Sequence, residues 1–145
     1  MPLRPAVTSS ERLSLPRNQA FTSHRWRARY FGGSGTTTNS QSCATCDPDG
    51  DGVSNRDEYG ADTNPTNAFS LFRILAATSS PNVAISFQSS ASRVYTLNLR
   101  TNLAIGAWTV VSNQAAIPGV NGVMVLTNPL PATPESYFRI GVQCP

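Results

Sequence analysis

Residues 82–88, Asn-Val-Ala-Ile-Ser-Phe-Gln, and residues 93–99, Arg-Val-Tyr-Thr-Leu-Asn-Leu, alternate apolar and polar side chains along both runs. Val83, Ile85 and Phe87 fall on one face of the first, and Tyr95, Leu97 and Leu99 on one face of the second. Successive side chains of an extended chain point to opposite faces, so a period of two gives each run one apolar and one polar side, as a half-buried strand requires. The pattern extends outward to candidate strands at 70–76, 107–112, 122–127 and 136–142, the last with Phe138, Ile140 and Val142 on one face. Turn residues separate these runs and no helical period interrupts them. The expected fold is therefore mainly β, an antiparallel β-sandwich of the immunoglobulin or fibronectin kind over residues 70–145, with Trp108 as a core anchor in the fourth strand.

Composition agrees with strands and turns. Hydrophobic residues make up 39% of the 145 and charged residues only 13%, with Ser, Thr, Asn, Gly and Pro abundant. No continuous apolar run is long enough to span a bilayer, so no transmembrane segment is expected.

Ahead of the strands the sequence changes character. Residues 47–58 read Asp-Pro-Asp-Gly-Asp-Gly-Val-Ser-Asn-Arg-Asp-Glu. Oxygen donors stand at positions one, three, five, nine and twelve (Asp47, Asp49, Asp51, Asn55, Glu58), and Gly52 stands at position six. A Ca²⁺ ion takes roughly six to eight oxygens, and alternate side chains of a tightly wound loop converge on one point, with glycine permitting the sharp turn. The side chain of Val53 at position seven cannot ligate, so its backbone carbonyl is the expected sixth donor. Asn55 acts directly or through a water, and Glu58 closes the site with both oxygens. The opposing reading, a polar Asp/Gly turn without an ion, leaves four carboxylates pressed together with only Arg56 nearby to offset them. Mg²⁺ fits less well, because it prefers a stricter octahedron and retains its waters.

Around this loop the expected organisation is an extended arm over 1–20, with Pro2, Pro5 and Pro16, then a short helix over 21–31 and a flexible linker over 32–46. In the helix Trp26 and Tyr30 lie four apart on one packing face, and Gly32-Gly33 ends it. The calcium segment covers 47–69, and Asp62-Thr63-Asn64-Pro65 forms a turn within it.

The net charge of +3 conceals a partition: about +5 in residues 1–42, −5 in 43–69 and +3 in 70–145, and every basic residue is Arg. The arginines of the first segment are scattered and no nucleic-acid module accompanies them, so nucleic-acid binding is not expected. Cys43, Cys46 and Cys144 make an odd count. Spacing leaves open a local Cys43–Cys46 disulfide, a pairing of Cys144 with either one, or a zinc site completed by His24. Met1 to Ser10 lacks the apolar stretch of a secretory signal, so an extracellular or cell-surface setting is inferred from the calcium loop and the cysteines alone.

The order of motifs carries a resemblance. Trp26-Arg27, Tyr30-Phe31-Gly32, the Asp47 to Asn55 run, Glu58-Tyr59, Thr63, Pro65-Thr66-Asn67 and Ser70 resemble the calcium-binding segment related to thrombospondin type 3 repeats and dockerin loops. Such a segment often precedes a small C-terminal β-domain in large secreted bacterial proteins. Val94-Tyr95-Thr96-Leu97, Thr101-Asn102-Leu103 leading to Trp108, and Tyr137-Phe138-Arg139-Ile140 look like that domain. The resemblance implies a non-catalytic accessory module whose calcium ion stiffens the approach to a β-sandwich, with ligand roles at Asp47, Asp49, Asp51, Asn55 and Glu58. The Cys43–Cys46 pair before the loop, and Asp62-Thr63-Asn64-Pro65 where such segments usually have Gly-Thr-Asp-Pro, depart from the pattern.

Three functions are compatible with these features: a structural or adhesive calcium module attached to a parent polypeptide or cell-surface component, a carbohydrate-binding sandwich using Tyr95, Trp108 and Tyr137, or a subunit that assembles with copies of itself. An enzyme is not expected, because only one His exists and most carboxylates sit in the calcium loop.

Overall fold

The computed structural model describes residues 23–35, 40–79, 82–129 and 135–145. The expected arm over 1–20 lies outside the described residues, as do the first two residues of the expected helix. Two compact units divide the chain between Phe72 and Arg73. No helix among the described residues is long and apolar enough to cross a membrane.

The first unit is built on two short helices, α1 (Ser23–Phe31) and α2 (Asn55–Ala61). Trp26 is 7% exposed, and its ring meets Tyr30 at 5.2 Å and Phe31 at 6.1 Å from its own helix and Tyr59 of α2 at 5.8 Å, all edge to face. Aromatic pairs prefer this arrangement because the positive ring edge meets the negative ring face. Of the expected linker over 32–46, residues 36–39 lie outside the described residues, and residues 40–46 carry local structure that their composition did not suggest. Ser40–Ser42 forms a single 3-10 turn, the Arg27 guanidinium donates to the buried Ser42 hydroxyl at 2.9 Å, and Cys43 and Cys46 form a disulfide.

The second unit contains two antiparallel sheets. The first joins β1 (Ile74–Thr78), β2 (Asn82–Gln88) and β6 (Val123–Pro129) in the order β1-β2-β6. In the second, β3 (Val94–Arg100) pairs along its length with β7 (Tyr137–Gln143) on one side, and on the other with β4 (Thr109–Val110) and β5 (Ile117–Pro118). The alternation that predicted strands also selects the core. Val83, Ile85 and Phe87 of β2 are buried beside Met124 and Leu126 of β6, and Tyr95 and Leu97 of β3 beside Val142 of β7. Phe87 and Tyr95, both fully buried, carry the contact from one sheet to the other with ring centroids 4.9 Å apart. The Tyr95 hydroxyl accepts a hydrogen bond from the Ser90 N–H at 2.8 Å, which satisfies the polar end of the ring inside the core.

Three expectations for this unit require correction. The first strand starts at Ile74 rather than residue 70, because Ser70 is held in a preceding turn where its hydroxyl accepts from the Asn64 N–H. The fourth is reduced to Thr109–Val110, and β5, which contains a proline, had no periodic signal. Trp108 is not a core anchor: it is partly exposed, with the Arg139 guanidinium 4.5 Å above its ring, and Val111 is the buried residue of that stretch.

Replacing Phe87 by Ala should destabilise the second unit by about 3–5 kcal/mol. Tyr95→Phe, which removes the hydroxyl that accepts from the Ser90 N–H, should cost about 1–2 kcal/mol. Chemical denaturation followed by far-UV circular dichroism measures both, and equal losses would contradict the separate roles of ring and hydroxyl.

Candidate metal centre

Residues 47–53 wind into a tight loop by hydrogen-bonding their own carboxylates. Asp47 accepts from the Gly50 N–H through Oδ1 and from the Gly52 N–H through Oδ2, each at 2.9 Å. Asp49 Oδ1 accepts from the Asp51 N–H at 3.3 Å, and Asp51 Oδ1 from the Val53 N–H at 2.7 Å. Aspartate side chains favour such bonds to the backbone a few residues on, which is why these residues form a turn at all. Gly52 adopts φ +90°, a left-handed conformation that glycine accepts without strain, as its place in the spacing required. One oxygen from each of Asp47, Asp49 and Asp51 lies within 4.8 Å of the others.

The loop runs directly into α2. Ser54 caps the helix from an extended conformation: its hydroxyl accepts from the Asp57 N–H and donates to the Asp57 carboxylate at 2.8 Å. Asp62 closes it in the left-handed conformation, with its N–H on the carbonyls of Glu58 and Tyr59. Asp62 thus serves as a helix terminator within the 47–69 segment. Asn55 and Glu58, three apart and hence on one helix face, are 2% and 0% exposed.

Asp47, Asp49 and Asp51 form the group whose oxygens meet within 4.8 Å, and Glu58 lies outside it; backbone donors satisfy only part of the side-chain oxygens along this run. Among the described residues, the buried side-chain oxygens without a hydrogen-bond partner are Asp49 Oδ2, Asp51 Oδ2, Asn55 Oδ1 and Glu58 Oε2. They come from positions three, five, nine and twelve of the run. Glu58 Oε1 accepts from the Thr63 hydroxyl at 3.3 Å. Burial, followed by the nearby carboxylates of Asp49, Asp51 and Asp47, pushes the Glu58 carboxyl up to about 7. Asp49 is shifted upward as well, chiefly by desolvation and then by its acidic neighbours, against a lowering hydrogen bond from the Asp51 backbone. A cation placed among these groups would receive hard oxygen donors and relieve both the desolvation and the repulsion.

The other expected sites fare differently. Cys43 and Cys46 are bonded to each other, so neither offers a thiolate, and the zinc site with His24 and Cys144 is not formed. Cys144 is a free thiol. Of the three rings considered for carbohydrate, Tyr95 is fully buried and unavailable as a platform, Trp108 has Arg139 over one face, and Tyr137 donates its hydroxyl to Glu135 at 3.2 Å. No protein-family profile, curated protein or solved structure matches this chain.

In metal-free solution the first unit should lose stability as pH rises from about 4.5 to about 7. Across that window the unfolded chain releases the Glu58 proton while the folded chain retains it; above it, folding must bury the ionised group. Thermal melts of chelator-treated protein at pH 5.5 and 7.5 should differ by several degrees, the lower pH being more stable. Glu58→Gln should reduce the difference, and an unchanged pH dependence in that variant would remove Glu58 as its source.

Proposed function

We propose that residues 47–58 bind one Ca²⁺ ion and that the protein is a non-catalytic, extracellular or cell-surface structural module. The ion orders the polar segment that precedes the strands, and the two sheets form a single β-sandwich of the immunoglobulin or fibronectin kind. Four unpartnered buried oxygens at the loop's ligand positions carry this proposal. An acceptor removed from water without a donor costs about 1–3 kcal/mol, and here the cost is repeated within one run of twelve residues and compounded by like charges. Asp47, Asp49, Asp51, the Val53 carbonyl, Asn55 and Glu58 supply the six donors. The Phe87–Tyr95 contact supports the sandwich, and the Cys43–Cys46 disulfide suits an oxidising compartment. Partners follow from the role: a parent polypeptide, a cell-surface component or further copies of the chain.

Isothermal titration of the oxidised protein with Ca²⁺ should give one site per chain. Asp51→Asn and Glu58→Gln should weaken it by more than the roughly 10–100-fold typical of residues that only support a ligand. With free calcium at about 100 times the dissociation constant the fold should gain about 2.7 kcal/mol, a gain that vanishes in chelator. Absence of binding at millimolar calcium would refute the assignment.

A further inference from the structure

The turn closed by the Cys43–Cys46 disulfide is the template for the start of α2. Within it the Cys46 N–H bonds back to the Cys43 carbonyl at 3.1 Å, and its outward carbonyls meet the helix: Cys46 accepts from the Asn55 N–H at 2.8 Å and Ala44 from the Arg56 N–H at 3.0 Å. These are two of the amides that a helix N-terminus leaves without an internal partner.

The Asn55 side chain is fixed by the same segment. Its Nδ2 donates both hydrogens, one to the Gln41 carbonyl at 2.8 Å and one to the Cys43 carbonyl at 2.7 Å. Rotating the amide by half a turn would set Oδ1 against two carbonyl oxygens, so the two carbonyls dictate that oxygen is the atom left over. That atom is the buried, unpartnered Oδ1.

We propose that the Cys43–Cys46 disulfide positions Asn55 as a ligand and thereby makes the affinity of the calcium site depend on the redox state of this pair. The inference rests on the calcium reading of residues 47–58. Cys43 is exposed and Cys46 partly so, which leaves the bond open to a small dithiol. A thiolate of the reagent attacks one sulfur and breaks the Cys43–Cys46 bond. That attack joins the reagent to the attacked cysteine as a mixed disulfide and expels the other as a thiolate; the reagent's second thiolate then closes a cyclic disulfide and expels the attacked cysteine, so two electrons and two protons pass to the protein and leave two thiols. The carbonyls of residues 43, 44 and 46 then lose the covalent link that holds them against α2.

Calcium titrations of oxidised wild type, dithiothreitol-reduced wild type and Cys43→Ser/Cys46→Ser test this. Reduction or double substitution should weaken binding about tenfold, the lower end of the effect expected from groups that orient a metal ligand. Linkage is reciprocal, so saturating calcium should make the disulfide harder to reduce by the same factor, about 30 mV for a two-electron couple. Asn55→Ala should bind more weakly and show little further loss on reduction. If Asn55→Ala instead loses as much on reduction as wild type, the disulfide acts by general stiffening and the positioning role is overturned. Equal affinities of oxidised and reduced wild type, with a calcium-independent reduction midpoint, overturn the coupling while leaving the calcium site intact. Failure of the oxidised protein to bind calcium overturns both.

Discussion

Buried negative charge without enough donors is the constraint on which residues 47–65 depend. The loop spends the amides of Gly50, Asp51, Gly52 and Val53 on the carboxylates of Asp47, Asp49 and Asp51. Those bonds create the turn, while Asp49, Asp51, Asn55 and Glu58 each retain a buried, unpartnered oxygen. The chain's only basic residue between 43 and 69 is Arg56, on the exposed part of α2 where Asn55 and Glu58 are buried. Its placement leaves the interior of the cluster acidic. A proton on Glu58 or a cation among the oxygens can each lower that cost, and they compete for the same lone pairs.

The two units hold together by different means. In the second, apolar faces of paired strands supply the cohesion, and the polar end of the buried Tyr95 ring is satisfied by the Ser90 amide. In the first, one aromatic group around Trp26 joins the helices, and side chains bonded to backbone set the rest: Ser54 at the start of α2, Asn55 on residues 41 and 43, Ser70 on Asn64. Cohesion of that electrostatic kind responds to protons and ions, whereas burial of Phe87 and Leu97 does not.

Local patterns were legible in the sequence, and long-range partnerships were not. The alternation at 82–88 and 93–99 marked both central strands and their buried faces, because period two is imposed by backbone geometry. Among the described residues, the four buried side-chain oxygens without a hydrogen-bond partner belong to residues that the oxygen spacing at 47–58 had singled out. What escaped lacks a periodic signature. Tyr59 against Trp26 joins two helices far apart in the chain, β5 spans only Ile117–Pro118, and Asn55 reaches carbonyls 14 and 12 residues away. Cysteine spacing alone left several pairings open, and Trp108 was read as core when the Arg139 guanidinium lies over its ring at the surface.

The donor set also narrows which ion the proposed site would take. With Cys43 and Cys46 spent on each other, the cluster offers carboxylate, amide and carbonyl oxygens, hard ligands that favour Ca²⁺ or Mg²⁺ over zinc. The oxygens come from two kinds of support: Asp47, Asp49 and Asp51 on a loop, Asn55 and Glu58 on a helix fixed by a cap at each end. Mg²⁺ demands near-octahedral contacts at about 2.0–2.1 Å, while Ca²⁺ accepts six to eight oxygens at about 2.3–2.6 Å in less regular arrangements. Glu58 illustrates the difference. Its Oε1 already accepts from Thr63, yet a carboxylate oxygen has a second lone pair, so both oxygens can face a larger ion without breaking that bond, and a bidentate glutamate at position twelve is the ligation Ca²⁺ uses.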